Sequence, residues 1–167
     1  SSAGHFLRAK SIDLLYVSSN HIPNLQGLRL FLQHVFYPRL AERGVTLAVA
    51  GTVCEELASV EGPQVLLAHQ VKDLEPLYAA ARVVILPIFD GAGSAIKTIE
   101  AMARAKPVVA TSFAMRGVDR SSEPFPVYDD WLDFGDRILA LLASEEERLK
   151  AAQASYRLSL VNGNDGA

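Results

Sequence analysis

The sequence predicts a doubly wound α/β domain whose parallel sheet has about six strands. Three observations carry that prediction. The chain has 167 residues, the length of one ordinary domain, which leaves little room for a second core. Short runs rich in Val, Ile and Leu recur at Asp13 to Val17, Thr46 to Ala50, Gln64 to Ala68, Val83 to Pro87 and Pro107 to Thr111, each followed by a segment of helical period. The runs are apolar on both faces, as strands must be when helices cover both sides of a parallel sheet.

The elements follow in order. After the first strand, Leu25, Leu28, Leu32, Val35 and Phe36 recur at spacings of three and four, predicting a helix from Asn24 or Leu25 to about Arg43. Pro38 lies inside it, so a kink is expected near Phe36 or Tyr37. A short second helix is expected around Glu55 to Val60, ending at the Glu61-Gly62-Pro63 turn, and a third from Asp73, a capping residue, to Ala81. A fourth begins at Ser94, packs on the sheet through Ile96, Ile99 and Ala103, and ends before Lys106-Pro107, because the residue preceding a proline is driven from helical conformation. Phe125 to Tyr128 is read as a short sixth strand, Asp130 as the cap of the next helix, and Ser144 with Glu147 as a capping box for the last. Glu145 to Glu147 fall in its first turn, where negative charge suits the helix dipole. Asn162 to Ala167 are expected to fray. The predicted organisation is a linker or added residues over 1–10, one domain over 11–162 and a frayed tail over 163–167.

Composition narrows the function. Half of the residues are hydrophobic and 21% are charged, which excludes a disordered or collagen-like chain. The net charge of −3 has the wrong sign for a protein whose affinity comes from neutralising a nucleic-acid backbone. The longest apolar stretch, Val83 to Phe89, is far short of the roughly 20 residues that span a bilayer. Ser1 to Lys10 lacks the apolar core of a signal peptide, and the single Cys54 forms no internal disulfide, so a cytoplasmic setting is expected. Cys54 and the scattered His5, His21, His34 and His69 have no metal-ligand spacing, and no metal is expected.

The most informative stretch runs from Val83 through Gly91-Ala92-Gly93-Ser94 to Ala101: strand, glycine turn, helix. Such a turn converges backbone amides and aims a helix N-terminus at an anion. A P-loop is excluded because Ile96 occupies the place of its second glycine and no buried strand ends in a magnesium-holding Asp. The dinucleotide fingerprint fails at the same residue, and it belongs after the first strand rather than the fourth.

Pro87, Gly91-x-Gly93, Lys97, Glu100-Ala101-Met102-Ala103, Pro107-Val108-Val109-Ala110-Thr111 and Gly117 together resemble the group 1 retaining glycosyltransferases of GT-B fold. Tyr16-Val17 with Pro23-Asn24, Leu47 to Gly51, and Val71-x-Asp73-Leu74-x-Pro76-x-Tyr78-x-x-Ala81 extend the resemblance over about Leu14 to Val118. The resemblance implies the C-terminal, Rossmann-like half, which binds the nucleotide-sugar donor, with the N-terminal acceptor-binding half absent. It implies that Glu100, the candidate catalytic residue, accepts hydrogen bonds from the donor's ribose hydroxyls. It further implies that Gly91, Ala92, Gly93 and Ser94 bind the diphosphate and sugar through their backbone with help from Lys97, that Gly51 belongs to the same site, and that the base lies against Gln70, Val71 and Leu74. A structural alternative for Glu100 is a pairing with Arg104 at i+4.

The chain also departs from that family. Many members carry two Glu eight residues apart on this loop and helix, whereas Ala92 stands eight before Glu100 and Asp90 ten before. The loop Ser18-Ser19-Asn20-His21 lacks the Arg that many members place against the diphosphate, which leaves Asn20 or His21 as substitutes. His69 stands where a glycine is common. The expected function is therefore donor binding in a transferase that moves a sugar from a UDP-, GDP- or ADP-sugar with retention, without a metal or other cofactor and inactive as a fragment. The expected location is cytoplasmic, at the inner face of the membrane through the acceptor half. The alternatives are a non-catalytic nucleotide-binding or regulatory module of the same fold, or a receiver-like partner-binding domain, which would need acidic strand ends.

Overall fold

The computed structural model describes residues 12–69, 71–91 and 95–163. The expected linker over 1–10, Ser11, all of the expected tail over 163–167 but Gly163, and Gln70, Ala92, Gly93 and Ser94 lie outside the described residues. Five parallel strands, β1 (Ile12–Val17), β2 (Leu47–Ala50), β3 (Val65–Ala68), β4 (Ala81–Leu86) and β5 (Val108–Ala110), form one sheet in the order β3-β2-β1-β4-β5. Leu14 pairs with Leu47 and Val83, and Val84 with Val108. The period-2 pleat divides the side chains between two cores. Leu14, Tyr16, Leu47, Val49, Val83 and Ile85 enter one, and Leu15, Val17, Ala48, Ala50, Val84 and Leu86 the other.

The first core is covered by α1 (Ile22–Phe31) with its continuation and by α4 (Trp131–Ala143); the second by α2 (Glu75–Ala80), α3 (Ile96–Ala103) and α5 (Glu145–Val161). α1 begins at Ile22, earlier than expected, because Pro23 supplies a preset φ in its first turn. Its stripe of Leu28, Leu32, Val35 and Phe36 is buried as the periodicity requires. Around Pro38 the chain does not kink sharply but widens into a π-helix over Leu32–Leu40, with Ala41 N donating to Phe36 O. Widening relieves the clash between a proline ring and the carbonyl four residues earlier.

Several expectations are corrected. Phe125 to Tyr128 is not a sixth strand: Tyr128 N donates to Ala110 O at 2.9 Å, but Pro124 and Pro126 have no amides with which to extend a ladder. The helix expected over Glu55 to Val60 is instead two 3-10 turns, Thr52–Glu56 and Ala58–Val60. Ala81 opens β4 in extended conformation rather than closing α2, and Asp73 Oδ1 accepts from Glu75 N at 3.0 Å just ahead of the helix. α3 buries Thr98, Ala101 and Met102; of the expected stripe Ile99 packs against the second core, whereas Ile96 is 60% exposed and faces outward. Asp130 caps α4 by accepting from Leu132 N and Asp133 N. Ser144 Oγ accepts from Glu147 N at 3.1 Å, but the Glu147 carboxylate turns to Arg137, so the capping box is half made. Asn162 does not fray: its side chain accepts from Asp119 N at 2.7 Å and donates to Asp119 O and Leu158 O.

Candidate functional site

β1 and β4 are adjacent, but their loops lead to opposite sides of the sheet, and the divergence opens a crevice at the C-terminal strand ends. The loops leaving β1 and β2 are tied together. Ser18 N donates to Ala50 O at 3.0 Å, Ser18 O accepts from Val53 N at 3.3 Å, and Asn20 N donates to Thr52 Oγ1 at 2.9 Å. This approach is possible because residue 51 is glycine: its φ is +100° and a Cβ would run into the Ser18 carbonyl. Tyr16, fully buried in β1, donates its hydroxyl to Asn24 O at 2.8 Å and so anchors the start of α1. Burial drives its phenol well above the usual tyrosine range.

Two cavities join along this edge. The larger, about 460 Å³, lies between the start of α1, the turn at Gly91, the start of α3 and the turn after β5. The smaller, about 360 Å³, lies between Gly51, Val71 and Leu74. Val17, Ser18, Ser19 and Lys97 line both, so the two form one cleft with Lys97 at the junction.

The fold thus brings together His21, Gly91 and Lys97 in the larger cavity and Gly51, Val71, Leu74 and Lys97 in the smaller. Gly91 has a φ of +129°, and a Cβ there would come up against Pro23 and Phe113. Two expected residues do not line either cavity. Asn20 is exposed and donates its side-chain amide to Glu55 Oε2 at 3.3 Å. Glu100 is half-buried on α3 and accepts from Lys97 Nζ at 3.2 Å. The alternative partner, Arg104, sends its guanidinium to Glu75 Oε1 at 2.6 Å and 2.8 Å, stacks over Tyr78, and meets only the backbone carbonyl of Glu100. Glu75 holds Arg104 above its ordinary pKa, and burial pushes the Tyr78 phenol up to about 12 against the opposing Arg104 charge. Among the described residues no three His, Cys, Asp or Glu side chains converge as a metal site would require.

Sequence reasoning missed several cleft residues. Thr52 and Glu55 face the smaller cavity beside His69, and Phe113 and Arg116 wall the larger one. Arg116 lies 25 positions from Gly91 in the chain, yet its Nη1 donates to Gly91 O at 3.3 Å. No local pattern announces so distant a contact; a cation beside a turn glycine just past the fifth strand was the only signal.

The five-stranded parallel sheet flanked by helices matches the Rossmann-like half of GT-B glycosyltransferases in fold. The family described as Glycosyl transferases group 1 matches residues 11–144, well over half of the chain, and the chain belongs to it. No protein of curated description matches the sequence. Among solved structures, HepE of Anabaena, in complex with UDP and glucose, is 16% identical with a TM-score of 0.71, over 96% of this chain and 47% of its own. Starch synthase IV of Arabidopsis thaliana, bound to ADP and acarbose, is 16% identical with a TM-score of 0.62, over 91% of this chain and 36% of its own. Identities this low show the fold alone. The chain spans 33% of the length of TarM and 47% of that of HepE. No helix among the described residues is long and apolar enough to cross a membrane.

Proposed function

We propose that this domain binds the nucleotide-sugar donor of a retaining glycosyltransferase whose acceptor-binding half lies outside this sequence. The observation that carries the reading is the single cleft at the switch point, with Lys97 where its two cavities meet. In this reading the base and ribose occupy the cavity between Gly51, Val71 and Leu74, the diphosphate lies over the junction, and the sugar enters the larger cavity. Two bound neighbours, HepE with UDP and starch synthase IV with ADP, support a nucleotide ligand and differ in the base, so the base is left to experiment.

Lys97 and the N-terminus of α3 then carry the negative charge that grows on the departing diphosphate as its bond to the anomeric carbon breaks. The acceptor oxygen forms its new bond on the same face of the sugar. Glu100 takes the ribose hydroxyls, for which its carboxylate, beside the junction and held by Lys97, has acceptor capacity to spare. Backbone amides over 91–94 take part on sequence grounds alone, since three of those residues lie outside the described ones. The chain by itself transfers nothing, because the acceptor half supplies the positioning that makes the step effectively unimolecular. A cytoplasmic setting, with the membrane's inner face reached through that half, belongs to the same reading.

A second reading, a non-catalytic nucleotide-binding module, is favoured by Ala92 in the place of a glutamate and by the engagement of Asn20 with Glu55. Calorimetric titration with UDP, GDP and ADP, each beside a matching nucleotide sugar, decides between them. Saturable binding of one nucleotide, tightened by its sugar, is the expected result. Binding that the sugar does not improve supports the module, and binding of none overturns both.

A further inference from the structure

The smaller cavity carries a carboxylate to which the donor-site reading gives no task. Glu55 lines this cavity and not the larger one, so it faces the space assigned above to the base and ribose. Its backbone is held in place: the 3-10 turn Thr52–Glu56 rests on buried Val53 and Cys54, with Val53 N donating to Ser18 O at 3.3 Å and Cys54 N to Gly51 O at 3.1 Å. Its carboxylate is oriented by Asn20, whose N donates to Thr52 Oγ1 and whose side-chain amide donates to Glu55 Oε2 at 3.3 Å. That is the one hydrogen bond to the Glu55 side chain among the described residues, and no cation pairs with it there. The other ionisable side chains on this wall are His69 and Lys97, and Lys97 is bound to Glu100.

A carboxylate in a site for a diphosphate opposes binding by like-charge repulsion unless the ligand brings donors to it. The ribose diol is common to every nucleotide, whereas the bases differ in what they bring. Guanine presents N1–H and the 2-amino group side by side, two donors spaced for the two oxygens of one carboxylate. Uracil presents a single N–H between two carbonyl oxygens, which a carboxylate repels. Adenine presents one amino group beside a ring nitrogen that only accepts. A bidentate, charge-assisted pair with Glu55 therefore forms with guanine alone, and Val71 and Leu74 give the flat base an apolar wall.

We propose that Glu55 determines the base and that the donor is a sugar ester of guanosine diphosphate. This rests on the donor-site reading above. The chain is titrated with GDP, UDP, ADP and IDP, the last being GDP without its 2-amino group. GDP is expected to bind at least about tenfold more tightly than UDP or ADP, and about tenfold more tightly than IDP, as suits one hydrogen bond to a charged acceptor. Glu55→Gln is expected to weaken GDP about tenfold and to bring GDP and IDP within about twofold of each other. Its urea midpoint is expected to match the parent's, because the side chain is exposed. A parent chain that prefers UDP or ADP overturns the proposal and leaves the donor-site reading standing. A Glu55→Gln variant that keeps the preference for GDP over IDP, or that weakens all four nucleotides by one factor as a ribose contact would, overturns it too. If no nucleotide binds, the donor-site reading fails, and this inference falls with it.

Discussion

The ammonium of Lys97 stands 3.2 Å from the carboxylate of Glu100, one turn further along α3, so the cation at the junction of the two cavities is held by the residue expected to take the ribose. A diphosphate over the junction and a ribose beside it would divide this pair between two parts of one ligand. Glu100→Ala is expected to weaken nucleotide binding roughly 10- to 100-fold, the loss of hydrogen bonds to a charged acceptor. Lys97→Ala is expected to weaken it about tenfold and to flatten its dependence on salt, since a partly exposed cation is screened. Calorimetry in a salt series reads both.

Gly51 and Gly27 are the places where backbone meets backbone. A Cβ at Gly51 would collide with the Ser18 carbonyl on a φ of +100°, and one at Gly27 would collide with Pro87 O, where α1 crosses the end of β4. Each alanine variant is expected to cost about 3 kcal/mol or more, because main chain cannot move aside as a side chain can. Gly44→Ala, with a φ of +77° and nothing within 4 Å, is expected to cost only ~1 kcal/mol. Urea unfolding of the three variants makes the comparison.

α3 ends on Ala105 with a φ of +55°, the one non-glycine residue of positive φ among the described residues. Ala105 N donates to Met102 O at 2.9 Å and Lys106 N to Ala101 O at 3.4 Å, the two bonds of a closing motif that favours glycine. Ala105→Gly is expected to raise stability by about 0.5–1 kcal/mol, read as a higher urea midpoint with an unchanged slope.

Ser155 is fully buried on α5, and its hydroxyl finds no partner among the described residues. Ser155→Ala is expected to stabilise the fold by about 1 kcal/mol, by removing an unpaired polar group and improving helix propensity. Thermal unfolding checks it.

Cys54 is buried against Val49 O, and burial pushes its thiol from 9.0 up to about 11. Between those values the unfolded chain has lost its proton while the folded chain keeps it, so stability falls as pH rises through that window, by about 3 kcal/mol. The raised Tyr16 and Tyr78 phenols add in the same direction above pH 10. Lys106, lowered by burial, acts in the opposite sense. Urea midpoints between pH 7 and 11 test the sum. At pH 8 the thiol is expected to react with a disulfide reagent only after unfolding.

The sequence by itself determined the layered fold. Strand runs apolar on both faces leave a parallel sheet between helices as the way to bury them, and the order of those runs set β1 to β5 within a residue or two. It also marked Gly91 and Lys97, which line the cleft, because a strand, a turn and a helix in succession are local; Glu100, expected from the family resemblance, lines neither cavity. Only the tertiary structure decided the rest. Pro124 and Pro126 denied the sheet its sixth strand, the segment around Pro38 took a wider coil rather than a kink, and Ile96 turned outward while Thr98 turned in. The site's other wall, Phe113 and Arg116, comes from a turn more than twenty residues beyond Gly91. Local propensity and period act over a few residues, whereas a cleft at a switch point is made of loops that meet only when strands distant in the chain pair side by side.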